Sequence, residues 1–189
     1  MPEHKTTLEI IDQQPDFVVV NKAEGIGFHN DAKHTGFFQQ VKNQLSLNEL
    51  YPVHRLDKMT SGLIILATSK TGAAEFQTLF HQRQVEKYYL AISDKKPNKK
   101  QGLIKGDMEK SRRGMWKLLR SHHNPAISRF FSFSIGQGNR LFVVKPLTGK
   151  THQIRVALAS IGAAITGDEY YSKTPADRGY LHAFALRFQ

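Results

Sequence analysis

Six short runs rich in β-branched and aromatic residues constrain what this chain can fold into: Leu8 to Ile11, Phe17 to Val20, Leu63 to Ala67, Val85 to Ile92, Arg129 to Ile135 and Arg140 to Lys145. The first two, parted by Asp12 to Asp16 with its Pro15, read as a hairpin, and Gly136-Gln137-Gly138-Asn139 is a hairpin turn by composition. Helical spacing is rarer. Phe37, Phe38, Val41 and Leu45 recur at that spacing within Asn30 to Glu49. From Ser69, a candidate cap, Ala73, Phe76, Leu79 and Phe80 face a core. A short helix from Thr151 to Ile161 carries Ile154, Leu158 and Ile161 on one face and ends at Gly162. Strands outnumber helices and hairpin-length loops join most of them. The expected class is therefore α+β, a single domain around a mixed, largely antiparallel β-sheet with flanking helices, and not a parallel α/β sheet. No internal repeat is visible, and 189 residues suit one hydrophobic core better than two, so residues 1–189 are expected to form one unit.

Charge narrows the partners. The chain has 27 Lys and Arg against 16 Asp and Glu, a net charge of +11, which draws a polyanion by steering and counterion release. No apolar run approaches transmembrane length, and MPEHKTTLEI lacks the charged-then-apolar layout of a secretory signal, so no membrane partner is expected. The absence of cysteine excludes disulfides and a thiol nucleophile and fits a cytoplasmic protein. Between Asp94 and Arg120 lie ten Lys or Arg and three Asp or Glu, interleaved with Met108, Met115, Trp116 and Leu118. A charge run is usually a solvated face, but a disordered tail would not need those apolar residues. The stretch, about 94–124, reads as an extended, partly strand-forming basic arm presenting Lys99, Lys100, Arg112 and Arg113 to phosphates.

Several motifs fail. Thr148-Gly149-Lys150-Thr151 ends like a phosphate-binding loop, but Val144 stands where its first glycine belongs. Gly25-Ile26-Gly27 and Gly136-Gln137-Gly138 lack the third glycine of a dinucleotide fingerprint. The nine histidines show no metal-ligand spacing, so neither metal nor cofactor is expected.

Tyr51 to Gly62, between two expected strands, places Asp57 amid His54, Arg55 and Lys58 and ends in the turn-forming Thr60-Ser61-Gly62. A carboxylate beside cations stays ionised and available as nucleophile or base; an aspartate capping a turn is the commoner alternative. A second feature is Arg155, in the first turns of the third helix, where the dipole disfavours a cation. An anion, either Asp57 or a phosphate, would account for it; so would a side chain that snorkels to solvent along the helix flank. Either way, its removal is expected to cost the fold little.

His54-Arg55-Leu56-Asp57 with Thr60-Ser61-Gly62 resembles the HRLDxxTSG signature of the RluA-type pseudouridine synthases. Val20-Asn21-Lys22 with Gly25 and His29, Lys87 with Tyr89, Leu147 to Val156, Gly167-Asp168 and Leu181-His182-Ala183 match further family elements in order, over nearly the whole chain. The resemblance implies an α+β catalytic domain with a basic cleft that isomerises uridine in structured rRNA or tRNA, without cofactor. It implies that Asp57 is catalytic, that Tyr89 packs on the flipped base, and that Arg155 pairs with the aspartate. Arg55 would help to extrude the nucleotide, and Lys150 and His152 would contact phosphates. Many relatives carry a small N-terminal RNA-binding domain; none is expected in this chain, so target selection is expected to fall to the catalytic domain and its arm, acting as a monomer. The sequence departs from the family pattern at Ala23, Lys150, Ala157 and Ala163-Ala164, none of which is assigned to chemistry. Two rival readings are an RNA-binding module of the same fold without catalysis and a DNA-binding accessory protein.

Overall fold

Pro15 has no N–H to give to a ladder, and the chain turns around it, so that β1 (Glu9–Gln13) and β2 (Phe17–Lys22) form an antiparallel hairpin. The computed structural model describes residues 8–189, which group into two compact units, one running to Gln82 and one from Arg83. The start of the expected single domain, and most of the segment read for a signal, lie outside the described residues.

In the first unit, α1 (Phe37–Gln44) is only eight residues long, shorter than the stretch expected to be helical. Asn30 Oδ1 accepts the Gly36 N–H at 2.8 Å, and a Cβ at Gly36 would lie 2.2 Å from the His29 carbonyl carbon. That loop must close tightly before the helix can begin. β3 (Tyr51–Pro52) and β2 both pair antiparallel with β4 (Ser61–Ala67). Val18, Val20, Ile64, Ile65 and Leu66 are fully buried. Adjacent residues of β4 are thus covered on both faces, which explains its unbroken apolar run. α2 (Lys70–His81) starts at its expected cap, with Ser69 Oγ accepting the Gly72 N–H at 2.9 Å, and Phe76 packs edge-on against Phe17.

The second unit contains β5 (Glu86–Ser93), β6 (Gln101–Gly106), β7 (Met108–Lys110), β8 (Trp116–Leu118), β9 (Ala126–Gly136), β10 (Asn139–Pro146), α3 (Gln153–Ser160) and β11 (Leu181–Arg187). Its sheet runs β11-β5-β10-β9-β6, antiparallel throughout, and β7 pairs with β8 in a separate ribbon. Gln137 and Gly138, at φ 51° and 77°, make the two-residue turn joining β9 to β10, as their composition suggests. α3 packs on β8, β9 and β10. Phe130, Phe142 and Val144 are buried on one sheet face, each large side chain worth about 1.5–3 kcal/mol of transfer free energy. Among the described residues no helix is long and apolar enough to cross a membrane. The α+β class and the largely antiparallel pairing agree with the sequence reading; β3 and β11 were not legible in it.

Candidate active site

Asp57 lies on the loop between β3 and β4, and that loop is held mainly through backbone atoms. Where β3 ends, the next N–H of β4, on Ile65, is taken by His54 Nε2 at 2.9 Å. The His54 ring also packs against Phe80, so this side chain fastens the start of the Asp57 loop to β4. The Asp57 carbonyl accepts the Thr60 N–H at 3.0 Å, closing a turn between the buried Leu56 and Thr60. The Lys58 carbonyl accepts from the Gly25 N–H at 2.9 Å. Lys22, fully buried, donates its ammonium to the Ala23 carbonyl at 2.8 Å and to the Lys58 carbonyl at 3.4 Å. Asp57 itself is half-buried, while Arg55 and Lys58 are exposed.

In the second unit, strand alternation puts Lys87, Tyr89 and Ala91 on one face of β5. Tyr89 is 9% exposed and is paired across to Val144 and Ala183. Burial pushes the Lys87 ammonium below its ordinary pKa. Its Nζ lies 3.8 Å from where a Cβ would stand at Gly149, so the loop before α3 passes directly beside it. Gln153 fixes that loop: its Oε1 accepts from Thr148 Oγ1 and the Lys150 N–H, and its Nε2 donates to the Ile127 carbonyl and Ser128 Oγ. All four of its amide's hydrogen-bonding positions are used, a role the sequence reading missed.

His152 adopts a left-handed backbone, φ 56°, so α3 begins at Gln153, two residues later than expected. Its Nδ1 is 2.9 Å from Tyr171 Oη, which also accepts the Trp116 N–H at 2.8 Å. Arg155 does not snorkel to solvent. It is 5% exposed, its Nε and Nη2 bond the two oxygens of Asp168 at 2.7 and 2.8 Å, and its guanidinium lies over the rings of Tyr170 and Tyr171. Asp168 is thus an anion held by this first-turn cation. The expectation that removing Arg155 costs little is corrected, because a buried carboxylate would lose its counterion.

The basic arm is ordered. β7, a tip at Arg112–Gly114 and β8 make a hairpin, and Arg112 and Arg113 are exposed at its end. Lys99 and Lys100 are exposed too, but they precede β6, whose length of about 20 Å parts them from the start of that hairpin. The four cations therefore form two groups and not one. The arm's base is pinned by Asp107, whose carboxylate accepts the His123 and Asn124 N–H groups. Asn124 Oδ1 in turn accepts from Lys150 Nζ at 2.9 Å.

The RNA pseudouridylate synthase family model matches residues 16–160. Over 183 residues the chain is 51% identical to a Haemophilus influenzae protein described as "Uncharacterized RNA pseudouridine synthase", covering 96% of this chain and 82% of that one. It is 30% identical over 198 residues to the dual-specificity RNA pseudouridine synthase RluA of Escherichia coli, covering 98% and 88%. The solved structure of Human RNA Pseudouridylate Synthase Domain Containing 1 superposes with a TM-score of 0.81 at 26% identity, over 100% of this chain and 81% of that one.

Proposed function

The chain belongs to the RNA pseudouridylate synthase family, and from that premise we propose that Asp57 is the carboxylate on which its chemistry turns. The protein is an RNA pseudouridine synthase, and its substrate is RNA. The reaction breaks the N1–C1′ bond of uridine, turns the uracil in place and joins C5 to C1′; C5 loses a proton and N1 gains one. Nothing is oxidised or reduced.

The observation that carries the assignment is the fastening of the turn that bears the half-buried Asp57, with Gly25 and the buried Lys22 both bonded to the Lys58 carbonyl. A carboxylate fixed in place can attack the sugar or the base, or remove a sugar proton, without first being ordered. Tyr89 is proposed to pack on the flipped uracil, and Arg155 to supply positive charge to the reacting groups. Arg55 is assigned to extrusion of the nucleotide, and Lys150 and His152 to phosphates. Extrusion costs a few kcal/mol, least in a loop, which favours structured rRNA or tRNA as the target; the Escherichia coli relative is described as having dual specificity.

The test is Asp57→Asn. Turnover should fall on the order of 10³-fold or more, while RNA affinity stays within a few-fold, because the lost charge is negative. Pseudouridine mapping after treatment with each protein, alongside equilibrium binding, measures both. A variant that still forms pseudouridine at the normal rate removes Asp57 from the chemistry.

A further inference from the structure

In the second unit, α3 covers one face of the sheet: it packs on β9 and β10, and Gln153 Nε2 donates to Ser128 Oγ at 3.0 Å. Phe130, beside Ser128 by alternation, and its cross-strand partner Val144 are buried on that face. Phe131, Phe133 and Ile135 turn the other way, where they are 44%, 54% and 51% exposed. Cross-strand register carries the row of Phe131 through Val143 to Leu90, and that of Phe133 through Leu141 to Ile92, all four half-buried. Leu103 of β6, opposite Arg129, is 54% exposed. Phe184 of β11 follows Ala183, which pairs with Tyr89 on the covered face, and is 57% exposed. Five of the seven large apolar side chains exposed among the described residues thus share one open sheet face.

The exposed parts of these side chains come to on the order of 600 Å² of apolar surface. That is the upper end of what a monomer leaves in one patch, and it approaches the roughly 800 Å² that each partner of a stable pair buries. Charge is gathered at one end of the face, at Arg129 and at Lys145, whose ammonium donates to Glu86 Oε1. The rows of Phe131 and Phe133 hold no Lys, Arg, Asp or Glu. Two copies laid face to face can be related by a two-fold axis along the strands or across them. An axis along the strands would keep both charged ends together, in a protein of net charge +11. An axis across the strands near Phe133 sends them to opposite ends. Each Arg129 then lies four residues from the axis, so the two are roughly 27 Å apart, well beyond the ~8 Å over which charges act at physiological salt.

We propose that a second copy of the chain occupies this face, packed sheet on sheet about a two-fold axis that crosses the strands near Phe133. Each copy buries its apolar rows against the other's. The opposite face, with Tyr89, stays outward, as do α3 with its Arg155 and the arm, whose β8 packs on α3. The dimer therefore covers none of those residues and turns two copies of that surface in opposite directions.

Sedimentation over a hundredfold range of concentration should show the native chain as a dimer. Phe133→Glu and, from a different strand, Leu103→Glu should each convert it to a monomer, with thermal melts confirming that both variants stay folded. The chain has no cysteine, so Arg129→Cys carries a single spin label per copy. Pulsed electron spin resonance should then give one distance of roughly 27 Å, lost when Phe133→Glu is added. A native chain that stays monomeric at the highest concentration overturns the proposal. So does a dimer that survives both glutamate substitutions, or a label distance of about half the expected value, which would put the axis along the strands. A native monomer that binds oligoadenylate through Phe133 would assign the face to nucleic acid and overturn the proposal equally.

Discussion

Arg155 and Asp168 form a two-point ion pair, Nε to Oδ2 and Nη2 to Oδ1, with side chains 7% and 0% exposed. The arginine sits where a helix dipole opposes it, so the pair offsets an unfavourable placement. Asp168 Oδ1 also accepts the Tyr170 and Tyr171 N–H groups, tying the segment after α3 to the start of that helix.

Arg155→Leu should therefore unfold at lower urea concentration, with a loss of about 3–5 kcal/mol, because it leaves a buried carboxylate without its cation. Adding Asp168→Leu should recover only part of that loss, since the two backbone donors then lack their acceptor. A single variant as stable as the native protein would show that the pair contributes nothing net.

Lys22→Met keeps the buried volume but removes the donor shared by the Ala23 and Lys58 carbonyls. A cost of about 1–3 kcal/mol is expected from the loss of a buried donor. Single-turnover isomerisation should slow as well, because the Asp57 turn loses its underside. Denaturation curves and rates at saturating RNA report the two effects, and a variant matching the native protein in both would mean that Lys22 does not position the loop.

Much of this was legible in the sequence because the signals were local. Ser69 caps α2, and Gln137-Gly138 makes its turn, since caps and tight turns are decided within a few residues. Asp57 and Arg155 stood out because their chemistry clashed with their local setting. Their partners did not stand out: His54 meets Ile65, Lys22 meets Lys58 and Arg155 meets Asp168 only once the chain has folded. Asp168 followed a glycine in a short motif, which gave no hint of its burial. α1 was overextended because apolar spacing cannot reveal the close approach of Gly36 to His29.

The two cation groups of the arm should act independently. Neutralising Lys99 with Lys100, and Arg112 with Arg113, should each lower the slope of log K against log salt by roughly 0.7–0.9 for every phosphate no longer neutralised. The two effects should add in the fourfold variant, as expected for sites this far apart. Strong non-additivity in equilibrium binding would place all four on one shared patch, and no change in slope would make the arm a solvated surface.

Asp107 gives the arm an acid limit. Desolvation raises its pKa, but hydrogen bonds from the Ser121 side chain and the His123 and Asn124 N–H groups together hold it below the ordinary value of 3.8. Its ionised form therefore stabilises the loop above that value, and the contribution is lost as pH falls through the lower folded pKa. Trp116, the chain's single tryptophan, lies in β8 and reports on this region. Its emission should shift below about pH 3.8 in the native protein, whereas Asp107→Asn should show the shifted emission already at neutral pH. Identical spectra for the two proteins at neutral pH would count against the pin.

The fastening of the Asp57 turn has a consequence for divergence among relatives. Gly25, Lys22 and Thr60 all grip carbonyl oxygens there, and every residue type offers a carbonyl. A change of side chain at the exposed Lys58 can accordingly alter the loop's surface without displacing the carboxylate. The carboxylate's position is thereby insulated from substitution at Lys58, whose side chain takes no part in the fastening.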